Sequence, residues 1–464
     1  MELHLPPISP ESIVDINDAR TLIIELYNVI EALVLSHNKL EQQNINLERE
    51  LCKLKGTVPP PSFGSNTNYS SKKQAANPSK SKHIKRSKRN IPIDKHIEVP
   101  ETSSCDCGSD RFKILRSSRR VVQGLLILRN NILYTGKDQK CLECGKEYKA
   151  NFPEEIKGKE FDPGLESWIS YFKYNCRMTE PLIHSVLTGL GIQISIGQIS
   201  NTLLNNSKSL KIPFDKLKTW GIKQSIYLHS DATGIKRQEG NKVTHEYINI
   251  LCTKFLSIFK IIKKYNQSEI LKMLGKNGDK KITISDDGSP NSIASLQQLC
   301  WIHEIRHYLK LSPELKTHQI ILENKIRELW DYYHNSLIYC NSPTSTLKEE
   351  LSKKCTTLLT IPTGYKILDD RMKLTYKKKD KLLLFLKYPF IPINNNQAER
   401  DLRPAVIIRK ISGSLKSREG ERSFERHMSI IQTARKRGLN VFDTLYGLIN
   451  HKLDPAILTY ALEY

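Results

Sequence analysis

Four stretches decide the fold: SIYLHSDATGI (225–235), THEYINILCT (244–253), LSIFKIIKK (256–264) and KITISDDG (281–288). Each is a β-branched or aromatic run bounded by polar turn residues, the pattern of a strand. Helical text follows: SLQQLCWIHEIRHYLKL (295–311), HQIILENKIRELWDYYHNSL (318–337) and KKDKLLLFLKY (378–388). The last long helix is REGERSFERHMSIIQTARKRG (418–438), stopped by Gly438. Three strands, a helix and a fourth strand predict an α/β sheet over 221–440, with a helical insertion at about 303–390 and a C-terminal helical segment over 441–464. The fold class expected is multidomain α/β.

Two of these strand texts end in acids. Asp231 follows YLHS and precedes ATG, and Asp286 follows ITIS. Catalytic groups in open α/β sheets gather at strand ends. Glu399 lies in NNNQAERDLRP (394–404), which reads as a loop entering a helix. Three such carboxylates can bring oxygen ligands to one point, and hard divalent cations such as Mg²⁺ take oxygen ligands. Two ions about 4 Å apart would serve an in-line phosphoryl displacement. Arg400, Arg403, Arg409 and Lys410 on the same segment are placed to meet phosphates. For any single acid the plainer reading is a turn residue or helix cap.

Upstream, residues 156–220 read as helical. Within them, PGLESWISYFKYNCRMTEPLIHSVLTGLG is followed by a turn at Gly189–Gly191 and a second helix opening near Ser195. That order suits a helix-turn-helix, although any helical hairpin gives the same text. Residues 101–155 hold paired cysteines. Cys141-Leu-Glu-Cys144-Gly145 has the shape of a zinc knuckle, and Cys105-Asp-Cys107-Gly108 is its candidate partner. The text between them reads as short strands, as a zinc-ribbon-like module needs. Only one residue separates Cys105 from Cys107, a departure from the usual spacing; the alternative is a ribbon that has lost its metal.

Residues 57–100 read as a basic, disordered linker. Eight of the twenty residues 71–90 are Lys or Arg, and none is acidic: Lys72, Lys73, Lys80, Lys82, Lys85, Arg86, Lys88 and Arg89. Such a run suits phosphate contact. Residues 1–56 carry Leu26, Leu33, Leu40, Leu47 and Leu54, spaced by seven, with Ile23, Ile30, His37, Asn44 and Leu51 three residues before each. This is the seam of a two-stranded coiled coil, and a buried Asn at position 44 favours a paired register. The alternative is an amphipathic helix packed on its own chain.

Composition agrees with a polyanionic partner. The chain has 464 residues, 72 basic against 49 acidic, and a formal charge of +23. Each cation that neutralises a phosphate releases a counterion, so nucleic acid is the favoured partner. No apolar run is long enough to span a membrane. The N-terminal text MELHLPPISPES lacks the basic and apolar regions of a secretion signal. The ten cysteines are accordingly read for a reducing cytosol.

NNNQAERDLRPAVIIRKISGS with REGERSFERHMSIIQTARKRGLNVFDTL resembles the C-terminal catalytic signature of bacterial insertion-sequence transposases of the IS66 family. LCWIHEIRHY resembles that family's Cys-Trp-x-His segment, and SDATGI its first-aspartate strand. The order of zipper, linker, cysteine knuckles and helical region is similar too. The resemblance implies a ribonuclease-H-like catalytic domain and a DNA transposase of Asp-Asp-Glu type. Its site would be Asp231, Asp286 and Glu399, with two Mg²⁺ or Mn²⁺ ions. The family shows a single Asp before Gly at the second acid, whereas Asp286 and Asp287 both precede Gly288 here. Asp286 keeps the better spacing to the next segment, and Asp287 keeps the Asp-Gly pair. The implied partners are the element's terminal inverted repeats, target DNA, a second copy paired through the zipper, and accessory proteins of the same element. The implied location is the bacterial cytoplasm, on the nucleoid when DNA is bound.

Two readings compete. His303-Glu304-Ile305-Arg306-His307 fits the His-Glu-x-x-His pattern of zinc proteases, with Glu304 as base and Glu323 as a distant third ligand. The longer form of that pattern fails at Lys310 and Pro313, and a protease explains neither the charge nor the zipper. The plainer reading is that Cys300, Trp301 and these histidines pack or hydrogen-bond beside the acidic site. The other competitor is a transposase-derived DNA-binding protein without catalysis.

Overall fold

A computed structural model of the protein describes residues 15–54, 93–98, isolated positions between 106 and 122, and then 129–153, 157–239, 242–275, 281–287 and 296–459. The basic run 72–89 and Cys105 lie outside the described residues. The chain divides into two compact units, 42–129 and 1–41 together with 130–464.

Helix α1 (Ile16–Leu54) is longer than the zipper text alone requires. Its two sides are used differently. On one side, Glu31 is buried and its carboxylate accepts from the backbone N–H of Glu314 at 2.6 Å and Leu315 at 3.0 Å. Asn28 exchanges hydrogen bonds with Gly364 O and Lys366 N, both at 2.8 Å. On the other side, Ile23, Ile30, Leu33, Leu40 and Leu47 are exposed. The helix is thus docked on its own chain through polar groups, and its heptad seam stays open.

Strands β1 (Gln139–Lys140) and β2 (Glu147–Tyr148) pair antiparallel around the second cysteine pair. Much of the text between the two cysteine pairs, including 114–118 and 123–128, lies outside the described residues, and with it the short strands expected of a ribbon. Of the described residues there, Val122, Ile132 and Leu133 are exposed.

The helical region is more broken than its text suggests. Helix α2 (Pro163–Ser170) runs into a π turn at Tyr171–Asn175, and Arg177 then takes φ 62° and ends it. Helix α3 (Glu180–Gly189) follows. The turn uses Gly191 at φ 81°, which an L side chain rarely adopts. Helix α4 (Ile196–Ser209) opens on a capping box: Ser195 Oγ accepts from Gln198 N at 3.1 Å, and Gln198 Oε1 accepts from Ser195 N at 2.8 Å. Helix α5 (Lys211–Gln224) leads into the sheet.

The sheet contains β3 (Tyr227–Glu239), β4 (Lys242–Cys252) and β5 (Ser257–Ile262), then helix α6 (Gln267–Leu274), β6 (Ile282–Ser285) and β7 (Leu296–Leu299). Their order is β5-β4-β3-β6-β7: the first three antiparallel, the last two added parallel. Strand β7 corrects the sequence reading, which put Leu296–Leu299 in a helix. Parallel pairing with β6 and burial of Gln297 and Gln298 hold these residues extended, and tertiary context overrides their helical propensity.

Helices α7 (Trp301–Leu309), α8 (Lys316–Asn341), α9 (Ser345–Thr360), α10 (Lys366–Tyr376) and α11 (Lys379–Leu382) form the insertion. Helix α12 (Asn396–Ser412), the short strand β8 (Ser414–Leu415), helix α13 (Arg418–Lys436) and helix α14 (Val441–Ile449) return to the sheet. Two apolar cores result. One joins α2–α5, β3–β5 and α12–α14. The other joins β6 and β7 to α7–α11 around the fully buried Trp301 and Tyr332. Each such buried apolar side chain contributes roughly 1.5–3 kcal/mol. The seam between the two cores carries the acids.

Candidate active site

Asp231 lies within β3 rather than at its end. Pairing of β3 with β6 covers only Tyr227–His229, and β8 joins only at Lys236–Arg237. Asp231 therefore sits on a stretch of β3 with no strand on that side. Part of the open edge is filled by Arg409, which donates to Thr233 Oγ1 and Gly234 O, both at 2.6 Å. Arg409 thus serves the sheet, whereas Arg400, Arg403 and Lys410 are exposed.

Asp286 is the first residue after β6. Its Oδ2 lies 3.0 Å from His303 Nδ1, while its buried Oδ1 has no hydrogen-bond partner among the described residues. Glu399 stands in the first turn of α12, where a negative side chain is favoured by the helix dipole. Arg306 Nη1 donates to Glu399 Oε1 at 2.7 Å, and Nη2 reaches Oε2 at 3.4 Å. His303 Nδ1 is 4.0 Å from the same Oε1. Helix α12 is itself anchored by Asp401, which accepts from Ser257 Oγ at 3.0 Å and pairs with Lys436.

The electrostatics are those of crowded carboxylates. Burial raises the Asp231 pKa to about 6, with Asp286 and Glu399 adding to the rise and the Ala232 N–H and His303 opposing it. Burial likewise raises Asp286 to about 6; Glu399 adds, while Arg306 and Asn395 oppose. Both shifts come first from burial of the charged form, with the neighbouring negative charge adding to it. The charges of the three acids act on one another, yet Glu399 is drawn towards Arg306. Among the described residues no three His, Cys, Asp or Glu side chains close into a metal cage. The donor set still suits a hard divalent cation: all-oxygen, crowded, with one buried oxygen unpartnered.

Asp287 points elsewhere and pairs with Lys378. Lys378 Nζ also lies 3.5 Å from Glu304 Oε2, and Glu304 further pairs with Arg371 and accepts from Thr375 Oγ1 at 2.6 Å. Although burial pushes the Glu304 pKa up, Thr375, Arg371 and Lys378 together hold it below its ordinary value. Glu304 is therefore an anchor of the insertion, buried and ion-paired, and is not presented to a zinc ion as a base. Glu323 is exposed on α8.

The residue that sequence reasoning passed over is Asn395. Fully buried, it donates from Nδ2 to Ser230 O at 2.9 Å and meets His229 Nδ1 through Oδ1 at 3.1 Å. Its backbone N–H donates to Cys300 Sγ at 3.2 Å, and its carbonyl accepts from Glu399 N at 3.3 Å. One side chain and its backbone thus tie β3, the start of α7 and the start of α12. The only sequence signal was the run Asn394–Asn396, which a helix cap explains equally well. Trp301 completes the joint: its backbone N–H donates to Ile393 O at 3.0 Å and its indole to Leu382 O at 2.9 Å.

At the second cysteine pair, Cys141 N donates to Lys146 O at 2.9 Å and Gly145 N to Cys141 O at 3.0 Å, with Gly145 at φ 72°. The backbone N–H groups of Cys144 and Glu143 hold the Cys141 thiol below its ordinary pKa. Cys107 and Cys144 are exposed.

Comparison with known proteins agrees with this picture. The family described as "Transposase IS66 family" matches residues 158–423. An uncharacterized protein, y4jO, of Sinorhizobium fredii is 31% identical over 165 residues, which is 35% of this chain. The match spans about half, 51%, of that relative's length.

Proposed function

The chain belongs to the IS66 family of transposases, and from this we propose that it is a DNA transposase whose cleavage and strand-transfer site is Asp231, Asp286 and Glu399. The observation that carries the proposal is that these acids, from β3, the end of β6 and α12, come close enough for their charges to interact, and two of them are pushed to a pKa of about 6. A sheet of three antiparallel strands extended by two parallel ones supports a ribonuclease-H-like reading of the domain.

Asp231, Asp286 and Glu399 would hold Mg²⁺ or Mn²⁺, up to two ions in one site. When bound, such ions polarise phosphoryl oxygens and lower the pKa of water. The chain's own groups do the rest. Asn395 fixes the spacing of the three acid-bearing elements. Arg306, which lies against Glu399, is the cation that would meet a phosphate at this site. His303 sits beside Asp286, where burial and then Arg306 lower its pKa, leaving it neutral and able to accept a proton. Strand transfer exchanges one phosphodiester for another, so no energy-carrying cofactor is required.

Further parts of the reading concern partners. The open seam of α1 suits a second copy of the same helix. The turn at Cys141–Gly145 and the lowered Cys141 thiol support structural zinc at the Cys141–Cys144 knuckle. Accessory proteins of the same element belong to the same proposal.

The test is strand cleavage and joining on labelled duplex carrying the DNA that flanks this reading frame, with Mg²⁺ or Mn²⁺, for the full chain and Glu399→Gln. Activity in the first and none in the second, with DNA bound equally by both, is the expected result. Equal activity in both would remove Glu399 from the site. Tight binding with no cleavage by either would favour a DNA-binding protein without catalysis.

A further inference from the structure

A second charged feature lies outside the carboxylate cleft. Between α4, the start of α5 and α13 there is a cavity of about 700 Å³. Its cations are Lys208, Lys211, Arg422 and Arg426, and its one acid is Glu419. The α4 wall presents Asn201, Asn205 and Lys208, at the spacing that puts side chains on one helix face.

The walls are held at fixed separation. Arg426 Nη1 donates to Ser207 O at 2.9 Å and to its Oγ at 3.2 Å, crossing from α13 to α4. Ser423 Oγ donates to Leu203 O at 3.3 Å and accepts from Tyr174 OH at 2.9 Å. The start of α13 is pinned to the sheet through Glu421, which pairs with the buried Arg237, itself 2.9 Å from Glu246. Burial lowers the Arg426 pKa and nearby Arg422 adds to this, against Asp215 and Glu425. Lys208, Lys211 and Arg422 are exposed at the mouth.

We propose that this cleft is a DNA-backbone subsite, in which Lys208, Lys211, Arg422 and Arg426 neutralise phosphates of a duplex while Asn201 and Asn205 donate from α4. The ligand class follows from what lines the cleft. Four cations against one acid select a polyanion. Among the described residues none that lines the cleft is aromatic, so they offer no platform for a free nucleotide's base or for the bases of a single strand. Amide and cationic donors without such a platform suit the sugar-phosphate backbone of a duplex, whose bases stay stacked. Contacts of this kind set register and affinity without reading sequence. The inference rests on the DNA-transposase reading and gives it a binding surface separate from its chemistry.

The experiment is fluorescence anisotropy of the full chain with a labelled duplex of mixed sequence, titrated at several NaCl concentrations. Wild type is compared with the triple variant Lys208→Ala, Lys211→Ala, Arg422→Ala and with Glu419→Gln. Three lost phosphate contacts should flatten the slope of log affinity against log salt by roughly 2–3 and weaken binding at least about tenfold near 0.1 M salt. Glu419→Gln, which removes no contact of the fold's interior, should tighten binding severalfold. If wild type binds and the triple variant shows the same slope and affinity, the subsite is overturned and the transposase reading survives. Failure of wild type to bind duplex DNA would overturn both.

Discussion

Asn395 donates from its side-chain Nδ2 to the backbone carbonyl of Ser230 at 2.9 Å. Ser230 immediately precedes Asp231, and Asn395 immediately precedes the helix that carries Glu399. A single buried hydrogen bond therefore sets the distance between two acids that are far apart in the chain. Replacing Asn395 by Ala should leave Ser230 O and His229 Nδ1 without this partner, at a cost of about 1–3 kcal/mol. Cleavage should fall by about two orders of magnitude, because small misplacements of catalytic groups are costly. Duplex binding should be unchanged, and the Mn²⁺ concentration for half-maximal cleavage should rise. A variant with lowered thermal stability but an unchanged Mn²⁺ requirement would make Asn395 merely structural.

Asp286 and Asp287 should separate cleanly. In the metal-free protein, Asp286→Asn removes a carboxylate whose folded pKa, about 6, exceeds its ordinary 3.8. Between those values the folded state holds more protons than the unfolded one, so stability falls as pH rises through that window. Above about pH 6 the Asn variant should melt higher than wild type, by on the order of 1–3 kcal/mol of stability, and cleave no DNA. Asp287→Asn loses only its pairing with Lys378, so cleavage should stay within severalfold of wild type. The reverse ranking in a cleavage assay would transfer the metal role to Asp287.

His427 gives the protein an acid-sensitive core. The imidazole is fully buried and stacked on Tyr174 at 4.4 Å; its Nδ1 lies 2.8 Å from Ser423 O and its Nε2 lies 3.1 Å from Ser170 Oγ. Nδ1–H donating to the carbonyl, with Nε2 accepting from the hydroxyl, is the neutral ring. Burial lowers its pKa from 6.5 to about 4. Between those values the unfolded state binds more protons, so this contribution is complete above about pH 6.5 and is lost as pH falls towards 4. Urea denaturation of wild type and His427→Gln across this range should show wild type losing on the order of 1–3 kcal/mol more than the variant. Parallel pH profiles would exclude His427 as the cause.

The two sides of α1 should be separable by mutation. Leu40→Asp with Leu47→Asp places charge on the open seam, and sedimentation equilibrium should show the dimer reduced to monomer with the fold intact. Glu31→Ala instead removes the cap on Glu314 and Leu315, lowering the melting temperature without changing the mass. A monomeric wild type would refute the zipper.

Much of this was readable from the chain alone, because it depends on local rules. The strands of 225–285 follow from β-branched runs between turns, and α4 follows from Ser195 and Gln198 in a capping box. The heptad leucines of α1 follow from their spacing. Each of these signals lies within a few residues of its structural consequence. Strand β7 was misread because its extended state depends on pairing with β6, a contact that propensity does not encode.

The sequence by itself determined the residue types and part of their local setting: Asp286 at a strand end, Glu399 at a helix start and a basic balance of +23; Asp231, read as a strand end, lies within β3. Tertiary structure alone decided which acid met which. It turned Asp286 towards His303 and Asp287 towards Lys378, although the two are adjacent and chemically identical. It spent Arg409 on the sheet edge and Glu304 on the insertion, and it made Asn395 the joint of the cleft. The physical reason is that a side chain's role depends on its partners and its access to water. Both are set by packing between segments as distant as Ser230 and Asn395, whose meeting no local pattern records.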